Sequence, residues 1–410
     1  MLSLCKMSIS MVYINVYLVY ALFNNYIPYG TVIFGGLAIT TAFFIANERG
    51  FESFESIKNE LISISFFVLV VFVGSFIVAD SESLAIASMI EFIEKYLLLL
   101  AIFIVCKEDN SVLFPMALFS FISSVAAAIV LFGPNNIGIN RIRLSSNVSE
   151  NALGNLMVLG VFCTLYLLTD FFYGLIIRLL AGMLIIIMSY VVLLTGSRKS
   201  IYAIGILLLT YCILSLVYNE QIGVVDLSVV ISFALAVILV FMLSGRIGRI
   251  IGSTAMYDRI AGNKTVSVID SDEGRRYFYV KAFQHFIESP ILGIGFNNFV
   301  YQHGSYTHST YAEILCGTGL LGTITYFYQY YELCAKIKYR LNKGVVDCCL
   351  KWGISFFLAY CFIGIGIGQM YDYISFAELS IIYAILNITV TGEDKLLIAN
   401  TTNYKSKYIK

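Results

Sequence analysis

Hydrophobic and polar positions along this chain fall into long apolar blocks parted by short polar ones, with a single long polar interruption. A helix needs about 20 mostly apolar residues to cross the bilayer core. On that criterion the pattern predicts about twelve spans, at approximately 8–23, 27–46, 61–79, 88–106, 112–132, 153–169, 175–195, 200–218, 224–243, 308–330, 353–369 and 374–391. Lipid offers the backbone no hydrogen-bond partner, so closed helices are the expected form of these runs. The interruption covers residues 244–307. The predicted organisation is therefore nine transmembrane helices over 1–243, one large loop over 244–307, three more helices over 308–391, and a tail over 392–410.

Composition agrees with the pattern. The 410 residues are 59% hydrophobic and 13% charged, with a mean hydropathy of +0.85. Soluble domains run about 45–50% apolar and about 25% charged, so an ordinary soluble enzyme is excluded, as are disorder and a collagen-like chain. Nine cysteines in this length make no disulfide scaffold. The fold class expected is an all-α polytopic membrane protein. With 26 basic and 26 acidic side chains the formal net charge is +0, which gives no reason to expect a nucleic-acid partner.

Charge placement sets the expected orientation. Lys336, Lys338, Arg340, Lys343 and Lys351 follow the tenth span, and Lys395, Lys405, Lys407 and Lys410 lie in the tail. The positive-inside bias puts both groups in the cytoplasm. An even span count then puts the N-terminus with Lys6 there too. The first apolar run lacks a small-residue cleavage site and is expected to be an anchor. Loops assigned to the outer side nevertheless carry Arg141, Arg143, Arg198, Lys199, Arg246, Arg249, Arg259, Arg275 and Arg276. Long loops cross regardless of charge, which accounts for 244–307 but not for Arg198, held in a tight turn between two spans. A functional reason is expected there.

The long loop holds, or borders, all three histidines: His285, His303 and His308. From Asp272 to Glu288 it reads as an amphipathic helix, with Phe278, Ala282, Phe283 and Phe286 at helical spacing between Arg275, Arg276 and Lys281. Asp272 is a plausible cap and Pro290 a stop. Such a helix could lie on the outer membrane surface. A glycine-permitted turn, Gly293-Ile294-Gly295-Phe296-Asn297-Asn298-Phe299, leads toward His308.

These pieces resemble the bacterial O-antigen ligase and polymerase family. The resemblance rests on Gly274-Arg275, Tyr279 through Phe283, Pro290 through Phe299, His308-Ser309-Thr310-Tyr311, and Gly317-Thr318-Gly319-Leu320-Leu321-Gly322, in that order. Thr195-Gly196-Ser197-Arg198 resembles the family's turn before a span, and Arg143-Leu144-Ser145 with Asn151-Ala152-Leu153-Gly154 resembles a further family stretch. Departures are Ser309 for Asn, Tyr279 for Trp, and Glu150 before Asn151 where Pro is usual.

The resemblance implies a GT-C-like glycosyltransferase facing the outer side of the bacterial cytoplasmic membrane. Its donor would be an oligosaccharide on undecaprenyl pyrophosphate. Single displacement would imply inversion at the anomeric carbon, and a chain-length regulator and a flippase are candidate partners. The residue types suit this chemistry, since guanidinium binds phosphate oxygens bidentately. A clamp on a departing pyrophosphate also lowers the barrier, because charge grows there in the transition state. Arg198 and Arg275 are the expected clamp, with Arg143 and Arg276 as lesser candidates. His308 is the expected general base for the attacking sugar hydroxyl. It could equally be an interfacial histidine or a second phosphate ligand. Asn298 and Glu313 are expected at the substrate. Glu91, Glu94, Lys95 and Glu378 either line a sugar cavity or are interfacial charges, and Glu91 could simply pair with Lys95.

Asp270-Ser271-Asp272 has the spacing of a cation-binding pair, but its position before a helix favours capping, and neither metal nor cofactor is expected. Gly364, Gly366 and Gly368 are expected to allow close helix packing inside a span. Within the family, a polymerase that joins lipid-linked repeat units into O-antigen or capsular polysaccharide is expected first. A ligase moving finished glycan to a lipid A core is the second possibility. A lipid-linked oligosaccharide flippase is the non-enzyme alternative; it should show two similar halves and polar midplane helices, and neither is visible.

Overall fold

The computed structural model describes residues 58–108, 112–132, 149–170, 174–218, 272–344 and 346–387, with a few isolated positions before residue 58. Only isolated positions of the expected span 27–46 are described. The expected spans 8–23 and 224–243 lie outside the described residues. So do residues 244–271 of the long loop, and Arg143. Eleven α-helices are described: α1 Lys58–Val78, α2 Glu82–Glu108, α3 Leu113–Phe132, α4 Glu150–Asp170, α5 Leu175–Thr195, α6 Arg198–Tyr218, α7 Asp272–Glu288, α8 Asn298–His303, α9 Thr310–Asn342, α10 Cys348–Gly364 and α11 Tyr373–Asn387. No strand occurs among the described residues.

Four of these helices, α3 to α6, are long and apolar enough to cross a membrane. Together with the all-helical fold they mark a membrane protein. Helix α4 is almost wholly enclosed, whereas α5 turns Leu175, Ile176, Leu179, Leu180, Met183 and Ile186 outward. A row of exposed large apolar side chains on that scale needs an apolar surrounding.

Small residues let the helices approach closely. A Cβ on Gly160 of α4 would strike Ser123 of α3 and Met188 of α5, and Ser123 Oγ donates to the Leu156 carbonyl at 3.0 Å. Such contacts are how helices hold together where water provides no driving force. Aromatic stacking closes the other side of α4: Phe162 lies 3.8 Å from Phe356, ring to ring. Trp352, the only Trp in the chain, stacks on Tyr211 at 4.0 Å and donates its indole N–H to Thr169 at 2.9 Å.

The helices alternate in direction, so their ends meet in two layers. At one end, Trp352 and Cys348 meet Thr169, Lys336 reaches Asn387, and Arg340 pairs with Asp347 at 2.8 Å. Asp347 also caps α10 by accepting from Leu350 N. Two expectations are corrected at this level. Lys336, Lys338 and Arg340 belong to the last turns of α9, which runs on to Asn342, and not to a loop. Helix α10 stops at Gly364, so Gly366 and Gly368 lie in the connection to α11 and not inside a span. Glycine at a helix end releases the chain from helical geometry, and here it frees backbone carbonyls for other use.

Candidate functional site

The opposite end of the bundle carries the described residues singled out in the sequence. Helix α9 is interrupted at Gly319, whose φ of 59° and ψ of −161° are non-helical. A break exposes backbone groups that must find partners. The segment after α7 supplies them: Ile294 N donates to Cys316 O at 2.9 Å and Gly295 N to Gly317 O at 3.0 Å, while Leu320 N donates to Pro290 O at 2.9 Å and Leu321 N to Ile291 O at 3.2 Å. The two glycine motifs of the sequence are thus one structure. Side chains are excluded from it, since a Cβ at Gly293 would lie 2.5 Å from Cys316 O and one at Gly319 2.5 Å from Ile291 O.

This joint fixes α7 against α9. Phe278 and Ala282 face inward, joined in one cluster with Ile294, Phe299 and Cys316. Phe283, expected on the same face, is instead 58% exposed, in a row with Val280 and Ile287. The helix therefore has two apolar sides, one spent on protein and one turned outward, which a single-face reading of its periodicity did not separate.

Three consecutive carbonyls after α10 gather the remaining segments. Tyr279 OH of α7 donates to Ile365 O at 3.2 Å. Lys199 Nζ, beside Arg198, donates to Gly366 O at 2.8 Å. Thr310 Oγ1, two residues after His308, donates to Ile367 O at 2.7 Å and accepts from Gln369 N at 2.9 Å. Arg275 lies one helical turn before Tyr279, and its charge tempers the rise that burial gives the Tyr279 hydroxyl pKa. The segments bearing Arg198, Arg275 and His308 are thereby tied to one short stretch of backbone.

Helix α4 braces the Arg198 turn. Gly154 leaves room for it, since a Cβ there would lie 2.6 Å from Ser200 Oγ and 3.1 Å from Ser197 Cβ. Ser197 Oγ and Ser200 Oγ share a 2.9 Å bond, and Gly196 ends α5 with φ 66°. The two stretches quoted around Asn151–Gly154 and Thr195–Arg198 are packing partners.

His308 has φ 60°, a left-handed conformation that non-glycine residues seldom adopt and that marks stored strain. Its ring lies 4.3 Å from that of Tyr306 and 5.9 Å from that of Phe278, centroid to centroid. Ser309 caps α9 by accepting from Ala312 N. Glu313 holds the preceding residue: one carboxylate oxygen accepts from Thr307 N at 2.7 Å and the other from Tyr371 OH at 3.0 Å. That hydroxyl's own pKa is pushed well up by burial and by Glu313.

The expected site residues therefore sit differently. Arg275 is half-buried and Arg276 exposed, and the Arg275 Nε–H is buried with no hydrogen-bond partner among the described residues. Arg198 is half-buried at the start of α6. Glu313 and Asn298 are only 3% and 1% exposed. Asn298 donates to Ile294 O at 2.9 Å and accepts from Ser81 N at 3.4 Å. Asn298 spends its polar atoms on backbone, and Glu313 spends its own on one backbone N–H and the Tyr371 hydroxyl, so both brace the surrounding segments from behind. Lys95 pairs with Glu91 at 3.5 Å and donates to Tyr371 O at 3.1 Å. Lys199, Tyr371 and the carbonyls of 365–367 were not expected from the sequence. The glycines at 364 and 366 were the available signal, since glycine ends helices as well as packing them.

A family model described as O-antigen ligase matches residues 183–327. The match covers the Arg198 turn, α6 to α8 and α9 past its break; α4 and the 365–372 connection lie outside it. No curated protein matches the chain. Residues 183–327 are thus similar to the O-antigen ligase family, the one that the ordered motifs resemble.

Proposed function

We propose that this protein is a glycosyltransferase that polymerises oligosaccharide repeat units carried on undecaprenyl pyrophosphate, at the outer face of the bacterial cytoplasmic membrane, with both termini in the cytoplasm. The observation that carries the proposal is the buried Arg275 Nε–H, a donor with no acceptor among the described residues, on a helix tied to the same backbone as Lys199 and Thr310. An unmatched buried guanidinium donor favours an anionic ligand.

In this reading Arg275 and Arg198 grip the pyrophosphate, with Arg276 and Arg143 near it. A hydroxyl of the acceptor sugar attacks the anomeric carbon of the donor. The new bond joins hydroxyl oxygen to that carbon, the carbon to phosphate-oxygen bond breaks, and the hydroxyl proton passes to His308. Polyprenyl pyrophosphate leaves with its electron pair stabilised by the guanidinium groups. No step uses a metal or cofactor. Glu313 and Asn298 act indirectly, by fixing the loops that carry His308 and border α7.

The family description itself favours a second reading, a ligase that passes finished glycan to lipid A core. Both share donor and clamp and differ in acceptor. Glycan analysis of a deletion strain separates them: single repeats still attached indicate a polymerase, and complete loss of attachment indicates a ligase. Unchanged glycan in the deletion strain would defeat both.

A further inference from the structure

We propose that His285 and His303 form a binding site for one divalent transition-metal ion, apart from the residues assigned to sugar transfer. The two imidazoles converge from different helices, His285 on α7 and His303 at the end of α8, with Nε2 to Nε2 at 2.8 Å. The other nitrogen of His285, Nδ1, faces Glu288 Oε2 at 3.2 Å. A carboxylate that takes the far N–H of an imidazole fixes its tautomer and leaves Nε2 with its lone pair outward, the arrangement that orients metal-bound histidines. Imidazole nitrogen suits zinc, copper and nickel.

If the Nδ1–H of His285 is given to Glu288, the short contact between the two Nε2 atoms needs its proton on His303, which then donates to His285. When an ion takes its place, the His303 proton moves to Nδ1, and both Nε2 atoms become ligands with no net proton released. Two nitrogens around tetrahedral zinc stand roughly 3.4 Å apart, so the rings need open by only about half an ångström. Phe299 packs against both rings, at 6.0 Å from His285 and 4.4 Å from His303, and Tyr277 lies edge-on to His303 at 6.4 Å. These walls restrict the rings, while water completes the coordination on the open side. Among the described residues, Lys281 and Glu288 of α7 bring charge beside the pair. Acid opposes binding, because a protonated imidazole has no lone pair to give. An ion held here would fasten α7, which carries Arg275 and Arg276, to α8 and the Asn297–Asn298 turn.

The test is zinc titration by calorimetry of the full-length protein in detergent, purified without a polyhistidine tag, with magnesium as control. One saturable zinc site is expected and none for magnesium. His285→Gln and His303→Gln should each weaken it by at least about tenfold, and Glu288→Gln by about tenfold, while His308→Gln leaves it unchanged. Copper bound to the wild-type protein should show hyperfine coupling to two imidazole nitrogens, a reading that needs no variant to fold. No saturable zinc binding, equal affinity in the His285→Gln/His303→Gln double variant, or a copper signal without two imidazole nitrogens would each overturn the proposal.

Discussion

The Lys199 ammonium and the Gly366 carbonyl, 167 positions apart in the chain, meet at 2.8 Å. The contact joins the turn bearing Arg198 to the connection between α10 and α11. A charged donor on a carbonyl contributes about 1.5–3 kcal/mol, enough to hold a two-residue turn in register. Lys199→Met is expected to lower turnover between about tenfold and a hundredfold, because small misplacement of a clamp group is costly. Lys199→Arg should recover part of it. Wild-type turnover from Lys199→Met, measured as release of polyprenyl pyrophosphate, would refute a positioning role.

Arg275→Ala should abolish polymer while protein still reaches the membrane. Arg275→Lys should restore little, since an ammonium keeps the charge but not the planar fork that matches two phosphate oxygens. Equal activity of the Lys variant and wild type would show that charge alone suffices.

His308 combines strain with the expected base role, and two substitutions separate them. His308→Gly and His308→Ala should both lose transfer activity. Glycine accepts φ near +60° at little cost whereas alanine bears about 1 kcal/mol or more, so the Gly variant should melt above the Ala variant. The reverse order in thermal midpoints would show that backbone strain at His308 is not what the substitution relieves.

Gly319→Ala should destabilise strongly, by about 3 kcal/mol or more. Its backbone conformation is close to glycine-only, and the new methyl would strike Ile291. Gly205→Ala, inside α6 where a Cβ meets nothing within 4 Å, should be stabilising by roughly 0.5–1 kcal/mol. Thermal midpoints in detergent compare the two directly. A small effect at Gly319 would mean the α9 break does not need glycine.

Glu313→Ala removes the acceptors for Thr307 N and Tyr371 OH. Turnover is expected to fall with little change in KM for lipid-linked substrate, because the residue acts through the His308 loop. Glu313→Gln keeps one carbonyl acceptor and should retain more activity. A rise in KM with unchanged turnover would instead place Glu313 at the substrate.

Much of this protein could be read from its sequence because the cause was local. Apolar runs of about 20 residues tend to become helices wherever they lie, and nine of the eleven described helices overlap a predicted run, with shifted ends at α9 and α10. The ordered glycine, arginine and histidine motifs likewise pointed to the family whose model matches residues 183–327. Yet order along the chain does not say which motifs touch. Only the folded chain pairs Gly293–Gly295 with the break at Gly319, sets Gly154 under Ser197 and Ser200, and turns Phe283 away from Phe278. It also makes the carbonyls of Ile365, Gly366 and Ile367 a shared anchor for Tyr279, Lys199 and Thr310. Those partners lie tens to hundreds of residues apart, and backbone carbonyls carry no sequence signature. Their alignment arises when packed helices bring distant ends to one level and unsatisfied polar groups must find each other.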